Sequence, residues 1–149
     1  MSLLARLVSL TVAFAASSVA SANADDVPLA DSYGTLMACI LGPDGSNAGP
    51  PDDSVAYVTP SRAQGLEWSC DYQFVMSVGN HKWSATGKCS WAGQESAPQI
   101  QISEDTAGKS VTVVITDTHA WDFTMKLSAC SLPYAEQVEL ESVRLKALP

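Results

Sequence analysis

Positive charge is scarce in this chain of 149 residues: eight Lys and Arg stand against sixteen Asp and Glu. From Asp25 onward the ratio is seven to sixteen, a net charge near −9, and Arg62 is the first basic residue after six aspartates. Such a surface repels nucleic acid phosphates and anionic membranes, so neither is an expected partner. A basic protein is the partner that this charge would attract. Histidine is scarcer still. His81 and His119 stand far apart and no Cys-x-x-Cys pair occurs, so metal-ligand spacing is missing and neither a metal nor another cofactor is expected. There is no Gly-x-Ser-x-Gly and no glycine loop of the phosphate-cradling kind. These absences leave a non-enzymatic protein as the expectation.

Long apolar runs are also lacking, with one exception at the start. Arg6 precedes an apolar run over residues 7–16, and small residues lead to Ala22-Asn23-Ala24. That order of basic start, apolar centre and small-residue exit is that of a secretory signal peptide, over residues 1–24. The run is too short to span a bilayer, and Asp25-Asp26 follows it directly. Residues 25–149 then form one soluble domain, secreted or periplasmic, long enough to bury a core. No membrane insertion is expected. All four cysteines (Cys39, Cys70, Cys89 and Cys130) lie in this part, and an even count in an exported chain means two disulfides with three possible connectivities. Pairing also leaves no thiol as a nucleophile.

What is present is alternation. The stretch from Trp68 to Trp91 begins Trp-Ser-Cys and ends Cys-Ser-Trp, with Gly79-Asn80 at its centre. Cys70, Tyr72, Phe74, Met76 and Val78 alternate with mostly polar residues, and Trp83, Ala85, Gly87, Cys89 and Trp91 do so on the return. Period-2 patterning around a Gly-Asn pair predicts a long hairpin. With the turn at Gly79-Asn80, Val78 faces His81, Met76 faces Trp83, Phe74 faces Ala85, Cys70 faces Cys89 and Trp68 faces Trp91. A slip by one residue breaks the match. Cys70–Cys89 is therefore the favoured pair, which leaves Cys39–Cys130.

Other strands follow the same reading. Residues 33–41 place Tyr33, Thr35, Met37, Cys39 and Leu41 on one face, and residues 55–59 form a short strand ended by Pro60. Residues 61–65 and 92–98 are connections. Ile100 and Ile102, then Val111, Val113 and Ile115, make a second hairpin, and Trp121, Phe123, Met125 and Leu127 share a face of the next strand. Cys130 falls on the opposite parity, so a bulge or strand end near Ala129 is needed. The tail, residues 136–148, has a helical composition but no apolar stripe, and reads as a bulged strand that closes the sheet against the first. The sum is about eight strands: an all-β domain, a small antiparallel barrel or sandwich stapled by disulfides.

Candidate binding residues come from two places. Residues 42–53 form a long polar loop, of the kind that often carries function, with Asp44, Asp52 and Asp53. Its spacing is not that of a calcium loop. Among the tryptophans, the parity of Trp68, Trp83 and Trp91 puts at least two in the core beside the disulfide, and Trp68 and Trp91 at the hairpin base are the ones placed for partial exposure. Glu67 and Asp71 are the acids a hydrolase would use, as a third alternative.

The run Leu66-Glu67-Trp68-Ser69-Cys70, then His81-Lys82-Trp83, Cys89 and a strand pair, resembles the small secreted fungal β-barrels of the Alternaria major-allergen family over roughly residues 66–116. The resemblance implies an exported, disulfide-bonded barrel acting as an effector on plant host proteins. The spacing from Trp83 to Cys89 is longer than that family's, and Cys130 alone stands for its paired C-terminal cysteines, so no family site maps onto this chain. Periplasmic β-barrel inhibitors, such as those that block lysozyme, fit the composition almost as well. The functional expectation is a binding protein that engages another protein, effector- or inhibitor-like. A barrel holding a small apolar ligand or a carbohydrate is the alternative.

Overall fold

The computed structural model describes residues 26–42, 55–117 and 122–146. Within them the order is β1 (Tyr33–Gly34), α1 (Leu36–Leu41), β2 (Ala56–Val58), β3 (Arg62–Gly65), β4 (Trp68–Gly79) and β5 (Lys82–Trp91). Then follow β6 (Gln94–Ser96), β7 (Gln99–Glu104), β8 (Ser110–Thr116), β9 (Phe123–Ala129) and α2 (Tyr134–Lys146). The strands pair antiparallel in the order β4-β3-β2-β1-β9-β8-β7-β5, and β5 returns to β4, so eight strands close a barrel. β6 continues the line of β7 along β5. The signal-peptide expectation and the loop of residues 42–53, apart from Gly42, lie outside the described residues.

The alternating residues turn inward as their period requires. Trp83, Ala85 and Cys89 from β5, Ile100 and Ile102 from β7, and Val111, Val113 and Ile115 from β8 are buried with Tyr33, Val58, Ala63 and Cys70 in one contiguous cluster. Side chains thus occupy the barrel axis. Each fully buried Val or Ile contributes roughly 1.5–3 kcal/mol relative to exposure. Both disulfides are as expected: Cys70–Cys89 spans facing strands with Cα atoms 4.0 Å apart, and Cys39–Cys130 joins α1 to the chain just past β9 at 5.1 Å. β9 ends at Ala129, which releases Cys130 from the strand's parity.

Several expectations give way. In residues 33–41 only Tyr33–Gly34 is strand, and the rest is α1. Thr35 caps the helix, its hydroxyl accepting from the Ala38 N–H at 3.4 Å, and Gly42 at φ 73° donates its N–H to the Ala38 carbonyl at 2.8 Å. An all-apolar hexapeptide satisfies strand and helix patterns alike, and the bracketing Thr and Gly decide. Residues 62–65 and 94–96, expected as connections, are strands β3 and β6.

The tail is a helix, not a strand, and β9 rather than the tail closes the barrel against β1. Composition wins there because the helix buries little, so no stripe is needed. Gln137 is its one buried residue, donating to the carbonyls of Cys130 at 3.0 Å and Leu132 at 2.6 Å. Glu136 in the first turn and Arg144 and Lys146 in the last suit the helix dipole.

The hairpin register holds from Trp68↔Trp91 to Gln73↔Thr86 and then shifts twice. Met76 faces Ser84, and Ser77 faces Trp83. The turn falls at Asn80–His81, with His81 at φ 53°. The pairings expected above Gln73 are therefore wrong, because two extra residues are absorbed in β4.

Candidate functional site

Two stretches of the barrel wall lack a described strand on one side, and exposed apolar residues stand at both: Phe74, Met76 and Val78 at one, Val143 at the other. The first is the upper half of β4. β3 pairs with β4 from Gln64↔Ser69 to Arg62↔Asp71, and the Tyr72 N–H still reaches the Ser61 carbonyl at 2.9 Å. Beyond that point no described strand pairs with this edge of β4, so residues 73–79 hydrogen-bond to β5 alone.

At the same point β4 reverses its faces. Phe74 adopts φ 51°, the left-handed conformation that bulges of this kind usually give to glycine, and it shares Ala85 with Val75 as the extra residue. Val75 now packs on the core, while Phe74, Met76 and Val78 turn outward at 76%, 62% and 61% exposure. A strained conformation at a bulky residue persists where its surroundings impose it, and such positions gather at functional sites. The result is an unpaired strand edge beside an apolar outer face, without charge from Gln73 to Asn80.

The second stretch is β9 below Ser128. β1 pairs with β9 only at Tyr33↔Ala129 and Gly34↔Ser128, so the rest of β9 has no described strand on that side. A cleft of about 450 Å³ opens along this seam. Trp68 lines it, in edge-to-face contact with Phe123 at 5.1 Å. Trp68 lies so close over Gly65 that no Cβ fits beneath the indole. Met125 and Leu127 extend the apolar wall, and α2 supplies Leu140, Val143 and Arg144. Arg144 is paired with Glu141, at 2.6 and 3.0 Å.

The residues singled out in the sequence fare unequally. Trp68 belongs to the cleft, half-buried, and Trp91 faces it across the hairpin at 39% exposure. Among the described tryptophans only Trp83 is fully buried in the core; Trp68 packs against it half-buried, so the expectation of at least two core tryptophans beside the disulfide is met by one. Asp44, Asp52 and Asp53 lie outside the described residues. Asp71 is on the outer surface, bridged to Arg62 at 2.7 Å, and Glu67 is exposed in the turn between β3 and β4. Sequence reasoning missed Phe74, Met76 and Val78 as surface residues, since their alternation pointed inward. It also missed Leu140, Val143 and Arg144, which required the tail to be a helix. One signal was available: Glu141 and Arg144 at helical spacing.

A third group, Glu104, is buried at one end of the barrel. Its Oε1 accepts from the Tyr33 hydroxyl and from the Ala30 N–H at 2.8 Å, and its Oε2 lies 3.1 Å from Nδ1 of His81. Burial alone would raise the pKa of Glu104, but the Tyr33, Ala30 and His81 contacts outweigh it and hold the group below the ordinary carboxylate value. The phenol of Tyr33 is pushed up by burial and by that carboxylate. A group kept ionised is a poor proton donor. Glu104 instead ties the N-terminal segment, β1 and the hairpin turn together.

Among the described residues no cluster of three or more His, Cys, Asp or Glu could hold a metal ion. No described helix is long and apolar enough to cross a membrane. Compared with known proteins, the chain matches no family model, no curated protein and no solved structure.

Proposed function

We propose that the chain is a non-enzymatic binding protein, acting outside the cytosol, that engages another protein through the upper half of β4. The observation that carries this reading is the bulge at Phe74, which turns Phe74, Met76 and Val78 outward beside an edge with no strand partner. Such an edge accepts an added strand: main-chain hydrogen bonds supply affinity and the neighbouring side chains supply selectivity. Two copies of this chain, each of net charge −8, repel one another. The favoured occupant is therefore an extended segment of a different protein, carrying basic residues around an apolar strand. Association should weaken as salt rises. Two disulfides and the lack of a membrane-crossing helix among the described residues are compatible with export. An effector- or inhibitor-like role follows from that setting.

Selection of a random peptide library against residues 25–149, followed by amide hydrogen exchange, tests the reading. Selected peptides should alternate apolar with Lys- or Arg-containing positions and slow exchange over residues 73–79. They should lose at least tenfold in affinity against Met76→Asp, whose side chain is exposed and whose fold should be intact. Peptides that protect a different strand, or that bind Met76→Asp equally well, would falsify the assignment.

A further inference from the structure

The cleft beside β9 is separate from the β4 edge, and its chemistry is different. Six large apolar residues, Trp68, Phe123, Met125, Leu127, Leu140 and Val143, line its walls. Its volume of about 450 Å³ lies within the range of small-molecule sites. The described lining holds two cations, Lys126 and Arg144, and no acid, although acids outnumber bases two to one in the whole chain. Glu141 already neutralises Arg144. Lys126 has no ion-pair partner among the described residues.

The main chain adds to this. The Ala129 N–H donates to Lys109 of the β8 side at 2.9 Å, and the Cys130 N–H donates to Ser32 of the β1 side at 2.9 Å. Ladder alternation then directs the main-chain groups of Lys126 and Thr124 toward the β1 side, where β1 has already ended. Open main-chain N–H donors, and Lys126 with its side chain on the same strand, thus border the apolar cleft.

We infer that this cleft binds a small amphipathic carboxylate. The acid group is held by the Lys126 ammonium and one main-chain N–H of this open β9 edge, and the apolar body lies against Trp68, Phe123 and Leu140. The charge-assisted hydrogen bonds require an anion, and the walls require a hydrocarbon or aromatic body. Free fatty acids and aromatic acids share this chemistry.

Isothermal titration of residues 25–149 with decanoate, 1-naphthoate, decanol and decyltrimethylammonium, with tryptophan emission followed in parallel, tests it. At least one of the two acids should bind one per chain and alter the emission of Trp68, and comparison of the two tells an acyl chain from a ring. Decanol should bind at least tenfold more weakly than decanoate, and the ammonium compound not at all. Lys126→Glu, at an exposed position, should melt like the parent and lose at least tenfold for the acid. Val143→Trp should block the cleft from the helix side. Equal binding of all four compounds, unchanged binding by Lys126→Glu, or no binding of either acid overturns the inference. So does a peptide strand that occupies the β9 edge in their place. Met76→Asp should leave acid binding intact, so failure here and failure of the β4 reading are distinguishable.

Discussion

The two strands of the long hairpin carry the same alternating pattern and meet different fates. β5 keeps its pattern from Trp83 to Cys89: Trp83, Ala85, Gly87 and Cys89 are all buried, and only Trp91 at its end is exposed. β4 keeps it only as far as Tyr72, and beyond the bulge its large apolar residues face solvent. The difference lies in the neighbours. β5 is held along both edges, by β4 on one side and by β7 and β6 on the other, so a slip would break two ladders. The upper half of β4 is held on one edge alone, and one ladder tolerates a bulge. Alternation therefore states that a residue can face a core. The number of hydrogen-bonded neighbours decides whether it does.

Truncation of one large residue on each strand should show that contrast most strongly. Trp83 is 8% exposed and pairs with Ile102 on its other side. Trp83→Ala should cost about 3–5 kcal/mol in chemical denaturation, the usual figure for a buried large aromatic. Met76→Ala, one register position away on β4, should stay within about 0.5 kcal/mol. Comparable losses at the two positions would mean that the upper half of β4 is packed after all.

The next effect concerns the anchor at the hairpin's turn. His81 is tied to Glu104, and the Glu104 N–H donates to the His81 carbonyl at 2.9 Å. Because the folded pKa of Glu104 is lowered, its contribution is present above the unfolded carboxylate value of about 4.3 and is lost as pH falls through the folded one. Glu104→Gln keeps the shape but loses the charge-assisted bonds. It should cost on the order of 2 kcal/mol at pH 7 and progressively less below pH 4. Denaturant midpoints of parent and variant across pH 3 to 7 check this, and a gap that did not narrow on acidification would count against the ionised tether.

Much of the barrel was legible, and for identifiable reasons. The period of 2 in β5, β7 and β8 named the core, and the mirrored cysteines fixed the lower register and both disulfides. What stayed hidden was decided by small asymmetries. Phe74 in a left-handed conformation cannot be read from an alternating run, since a bulge adds a residue without changing composition. α1 and α2 failed for opposite reasons. In α1 an apolar pattern concealed the Thr35 cap, and in α2 a missing apolar stripe outweighed a helical composition. The cleft followed the second error, because two of its walls meet only when the tail is a helix lying beside β9.

The smallest effect has the opposite sign and bears on the bulge itself. A side chain in the left-handed region costs about 1–2 kcal/mol, which glycine avoids. Phe74 is 76% exposed, so little burial is lost by removing its ring. Phe74→Gly should therefore leave the protein as stable or raise its stability by up to about 1 kcal/mol, after the greater chain entropy of glycine in the unfolded state is set against the relieved strain. The same variant should weaken strand addition at the β4 edge, because an apolar contact has gone from the outer face. Thermal melting and peptide affinity, measured side by side, separate the two roles. A gain in stability with a loss of binding means that the bulge is kept for recognition. A loss of more than about 1 kcal/mol would show that the Phe74 ring packs on the barrel, and the contrast between β4 and β5 would then have to be drawn above Val75.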